Sequence, residues 1–138
     1  MIGLGTVIGF IPAEKAISIK PNYADVYNNI GVVFAGQGDL KKAIESYEKA
    51  IKIESDFASA HHNLSALKKY KSNDQQINQM QALLDSNSLN LSSKIYLNFA
   101  MAKVYEDIGI KDKMFQFLDK GNLLRKRKIE RAFYELVD

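Results

Sequence analysis

The chain repeats itself at an interval of 34 residues. Lys15-Ala16-Ile17-Ser18-Ile19-Lys20-Pro21-Asn22-Tyr23 aligns with Lys49-Ala50-Ile51-Lys52-Ile53-Glu54-Ser55-Asp56-Phe57, and Tyr27-Asn28-Asn29-Ile30-Gly31 aligns with His61-His62-Asn63-Leu64-Ser65. A fixed period of this length marks a stack of like units, each burying its apolar face only against its neighbours. Such a stack presents a surface, so the chain is expected to act by holding something.

The period inside each unit is helical. Tyr27, Ile30, Gly31 and Phe34 recur at spacings of three and four, which places them on one helix face. Gly36-Gln37-Gly38-Asp39 breaks the pattern, and Asp39 is suited to cap the next helix. Ala43, Ile44, Tyr47, Ala50 and Ile51 form a second apolar stripe. The small residues among these allow close approach, which predicts a helix hairpin. Val33, Ile44 and Tyr47 are expected in the first core between units. A helix is expected to resume near Asp74, with Ile77, Met80, Leu83 and Leu84 on its apolar side. Ser92 is expected to cap a third unit near Ile95, with its turn at Asp107-Ile108-Gly109 and its second helix from Lys111. Ile129, Phe133 and Leu136 make a last apolar stripe.

Residues 24–57 resemble a tetratricopeptide repeat. Tyr27, Ile30-Gly31, Phe34, Ala43, Tyr47 and Ala50 fit that family's signature, while its closing proline is Ser55 here. The resemblance implies an all-α fold: an α-solenoid of antiparallel helix hairpins in a right-handed superhelix. It divides the chain into a truncated or divergent first repeat and cap (1–23), a repeat (24–57), a degenerate repeat (58–91), a third repeat-like unit (92–128) and a capping helix or truncated linker (129–138). Residues 63–70, a short helix containing Met80, residues 99–109 and Gly121-Asn122 also resemble the repeat region of bacterial tetratricopeptide–sulfotransferase fusion proteins. The Gly-rich phosphate loop of such an enzyme is not found here. That resemblance implies ancestry or truncation rather than activity, with the substrate-docking repeat arm of a sulfotransferase whose catalytic domain is missing from this chain as the alternative function.

Composition narrows the chemistry. There is no cysteine, which excludes disulfides and thiolate metal sites. The two histidines, His61 and His62, are adjacent and so point to different sides of a helix, which argues against a shared metal. No pair of carboxylates has a spacing suited to acid–base work. The expectation is a non-catalytic, cytoplasmic protein without cofactor or metal. The apolar start, Met1 to Pro12, falls short of the roughly 20 residues of a membrane span. It reads as cover for the end of the stack, with a membrane tether as the alternative.

The family resemblance implies that the first helix of each unit lines a concave groove. Asn28, Asn29, His62 and Asn63 are then the central contacts for a peptide or partner protein, with Lys69, Tyr70 and Lys103 outside them. Asn29 and Asn63 are one period apart and resemble the asparagine ladder of O-linked N-acetylglucosamine transferase, where an amide both donates to and accepts from peptide backbone. Val32 and Ala66 stand where the family's carboxylate-clamp members need polar groups, which argues against recognition of a chain-terminal carboxylate. Residues 120–131 hold six cations against one carboxylate, leaving −2 on the rest of a chain whose net charge is +3. Within that stretch, Arg125, Lys126, Arg127 and Lys128 form a basic run. No aromatic residue interrupts it, so a solvated helix end is favoured over nucleic acid. Self-association through the open ends of the stack remains an alternative.

Overall fold

The computed structural model describes residues 22–137. The expected first repeat and cap lie almost wholly outside them. Six helices follow in order: α1 (Tyr23–Gly36), α2 (Leu40–Ile53), α3 (Ala58–Leu67), α4 (Gln75–Asp85), α5 (Leu91–Ile108) and α6 (Lys111–Val137). No strand occurs among the described residues. The described architecture is all-α, a succession of packed helices with paired neighbours.

Capping residues set the boundaries. Asn22 Oδ1 accepts from the Asp25 N–H at 3.1 Å, and Asp39 Oδ1 from the Lys42 N–H at 3.2 Å. Asp74 starts α4 by accepting from the Gln76 N–H at 2.9 Å. The cap of α5 is Asn90, which accepts from the Ser93 N–H at 2.8 Å. This corrects the expectation for Ser92, which lies inside the first turn. Gly109 ends α5 at φ 89°, a left-handed conformation suited to glycine.

Two glycines let helices meet closely. A Cβ on Gly31 of α1 would lie 2.5 Å from Tyr47 Cε1 of α2. One on Gly121 of α6 would lie 2.8 Å from Phe99 Cε1 of α5. Both hairpins thus seat an aromatic ring directly on a helix backbone.

The interior has two parts. Ala43, Tyr47, Ala50, Ile51, Ala60 and Leu64 pack one core from α2 and α3, with Tyr27 and Phe34 of α1 against it. Tyr70, Ile77, Met80, Leu97, Met101 and Val104 are central to the other, with Ala58 of α3 at its edge. The helix α3 packs on α2 at one side and on α5 at the other, while α4 packs on α5. Val33, expected in the first core, is 58% exposed. It sits on the outer side of α1, whereas Ile44 and Tyr47 face inward.

Candidate functional site

Two of the asparagines expected to contact a ligand, Asn28 and Asn63, bond to each other instead. Asn63 Nδ2 of α3 donates to Asn28 Oδ1 of α1 at 3.1 Å, and Asn28 is only 8% exposed. The pair joins successive units and leaves little of Asn28 for a ligand. Asn29 is exposed, and it lines an apolar hollow with Val26, Ile30 and Val33 on the outer side of α1. Val32 and Ala66 are exposed.

The outer contacts are also redirected. Tyr70 is 2% exposed, and its hydroxyl donates to Gln76 Oε1 at 2.6 Å. It is a core residue, which corrects its assignment to the groove. Lys103 Nζ donates to the Lys68 carbonyl at 2.8 Å and to Asp107 Oδ2 at 2.6 Å. The Tyr70 backbone N–H reaches the same carboxylate at 3.0 Å, and Lys69 lies 3.4 Å from its other oxygen. Burial raises the Asp107 pKa, but these donors outweigh burial and hold it below the ordinary value. Lys103, Lys69 and Tyr70 therefore fasten the 68–74 connection to α5. Lys69 alone keeps an exposed side chain.

His61 belongs to the same internal network. Its Nε2 faces the Ser55 carbonyl at 2.9 Å, so that nitrogen carries the proton. Lys68 and Tyr70 both donate to Gln76 Oε1, which turns the amide nitrogen of Gln76 toward His61 Nδ1 at 3.1 Å. Both ring nitrogens are satisfied in the neutral form. Burial lowers the His61 pKa. No group of three or more potential metal ligands occurs among the described residues.

A groove of a different make-up opens where α3, α5 and α6 meet. Its volume is about 310 Å³. His62 of α3, Ile95, Tyr96 and Phe99 of α5, and Arg125 and Lys128 of α6 line it. His62 and Tyr96 rest against each other, ring centres 5.4 Å apart and tilted by 49°. Tyr96 is 41% exposed despite its size. The Arg125 guanidinium lies 5.2 Å from the Phe99 ring centre and donates to Asn122 Oδ1 at 3.2 Å. Lys128 Nζ donates to Ser92 Oγ at 2.7 Å. Burial lowers the His62 pKa, so at neutral pH its ring is uncharged.

Of the expected groove residues, this site keeps His62; of the basic run, it takes Arg125 and Lys128. Lys126 lies 3.9 Å from Glu130 on the same helix, and Arg127 is exposed. Sequence reasoning missed Ile95, Tyr96 and Phe99 as site residues. It also missed that Arg125 and Lys128, three apart, share the helix face that follows Gly121. That spacing was the available signal.

Residues 24–57, spanning all of α1 but Tyr23 and all of α2, match the family model of the tetratricopeptide repeat. No curated protein matches the chain. The likeness to sulfotransferase fusions thus rests on the quoted residues alone. No described helix is long and apolar enough to cross a membrane.

Proposed function

We propose that this chain is a non-catalytic protein-interaction module that holds a peptide segment of a partner in the groove between α3, α5 and α6. The observation that carries this reading is the exposed Tyr96, flanked by His62, Ile95 and Phe99, above a hollow of about 310 Å³. Half-exposed aromatic rings beside a cavity are a common basis for side-chain capture, because they give contact area at low entropic cost. The repeat at 24–57 supports the same class of function, since tetratricopeptide repeats typically mediate protein binding. In this reading the Asn28–Asn63 bond sets the spacing of α1 and α3, and Asn29 is not part of the groove lining.

A random twelve-residue peptide library selected on the chain tests the proposal. Enriched peptides are expected to compete with one another and to bind Tyr96→Ala about tenfold or more weakly. Binding that Tyr96→Ala and His62→Ala both leave intact, with unchanged melting, removes the groove as the site.

A further inference from the structure

The occupant's chemistry can be read from the groove's charges. This inference rests on the peptide reading above and narrows it. Among the described residues, the groove lining includes two cations and no carboxylate. Neither Arg125 nor Lys128 has a carboxylate within ion-pairing distance among the described residues, although Lys126 beside them is near Glu130. What they do contact is neutral: an amide and a ring for Arg125, a hydroxyl for Lys128. Those contacts hold the cations at the rim without neutralising them.

We infer that the groove takes an acidic peptide segment, with an apolar side chain over Ile95 and Tyr96 and carboxylates paired to Arg125 and Lys128. Geometry adds a spacing rule. Residues three apart on a helix have Cβ atoms about 5–6 Å apart. Alternate residues of an extended peptide project to the same side about 6.5–7 Å apart. Two acidic residues separated by one other therefore match the backbone spacing at which the two cations are rooted. Arg125 suits a bidentate carboxylate, and Lys128 a single oxygen.

Nucleic acid fits the site less well. Base stacking needs open ring faces. Here Arg125 lies close to Phe99 and His62 rests against Tyr96. Two cations among the described residues reach the groove, and phosphate-backbone binding draws its strength from many.

The test uses the full chain and the same peptide library, selected at low and at physiological salt. Enriched sequences are expected to contain an acidic-x-acidic pattern beside an aromatic or branched aliphatic residue. An Arg125→Gln/Lys128→Gln double variant is expected to bind such a peptide about tenfold more weakly. Replacing the peptide's two acids by their amides should cost as much on the wild type and little on the double variant. Lys128→Gln alone, which leaves the Arg125–Phe99 contact in place, should show part of the loss. Peptides that depend on Tyr96 yet are neutral or basic would overturn the acidic assignment and leave the groove intact. Selection unaffected by Tyr96→Ala would sink the groove reading itself. A thymidine 20-mer that binds through Arg125 and Lys128, with no peptide enriched, would overturn both in favour of nucleic acid.

Discussion

Gly31 and Gly36 lie five residues apart in the same helix and should answer substitution in opposite ways. Gly31 faces three atoms of the Tyr47 ring within 3.0 Å, and that ring is buried and cannot turn aside. Gly31→Ala is expected to cost about 1–3 kcal/mol by overpacking, despite alanine's better helix propensity. A Cβ on Gly36 would meet nothing within 4 Å among the described residues, and its φ is not positive, so Gly36→Ala should stabilise by up to about 1 kcal/mol. Urea denaturation of the two variants checks both signs. Asn98 is a third informative position. It is 1% exposed; its Nδ2 donates to the Lys94 carbonyl at 2.7 Å, and its Oδ1 has no partner among the described residues. By the signature spacing it occupies the slot of Tyr27 and His61. An orphaned buried acceptor costs about 1–3 kcal/mol. Asn98→Leu should therefore raise stability by about 1 kcal/mol, and a clear loss would show that the amide is satisfied in solution.

The hairpins α1–α2 and α5–α6 are held by apolar packing, but α3 and α4 are joined differently. Their link runs through Ser55, His61, Gln76, Tyr70 and Lys68, a polar chain that requires a neutral imidazole. The pKa of His61 is lowered by burial, so the unfolded chain binds the proton more readily than the folded one. Stability is then complete above the unfolded value of 6.5 and falls as pH drops below it. His62, also lowered by burial, acts in the same direction. Melting temperature followed from pH 8 to pH 5 should decline below about pH 6.5, and His61→Gln should flatten that slope. These elements differed in how plainly the sequence displayed them. The hairpin of α1 and α2 was legible because glycine, aromatic and capping residues stood at fixed spacing. The polar link was not, since His61 occupies a slot that reads simply as aromatic. Tyr70 was misplaced because the 68–74 connection breaks the period, so no register told which way its ring faced. The groove was half legible: the basic run was plain, but only a continuous α6 reveals that Arg125 and Lys128 reach α5.

Across the whole molecule, the last buried residue of α6 is Leu124, and thirteen exposed positions follow to Val137. Helices in proteins draw most of their stability from packing. Amides beyond Lys128 should therefore exchange with solvent much faster than those of α5, in a hydrogen-exchange series on the intact chain. Removal of residues 129–138 should change the unfolding free energy by less than about 1 kcal/mol. The two cores are coupled mainly through α3. A cleft of about 460 Å³, lined by Glu48 and Lys52 on one side and Asp74 and Gln79 on the other, separates α2 from α4. The ten-residue helix α3 has no side-chain cap at its start, and it touches α2 and α5 with opposite sides. Under tension applied at the two ends, the unpacked end of α6 should unravel first, and load between the two cores then passes mainly through that short helix. Of the packed helices, α3 should yield before the others, while the ring-on-glycine seats at Gly31 and Gly121 still hold.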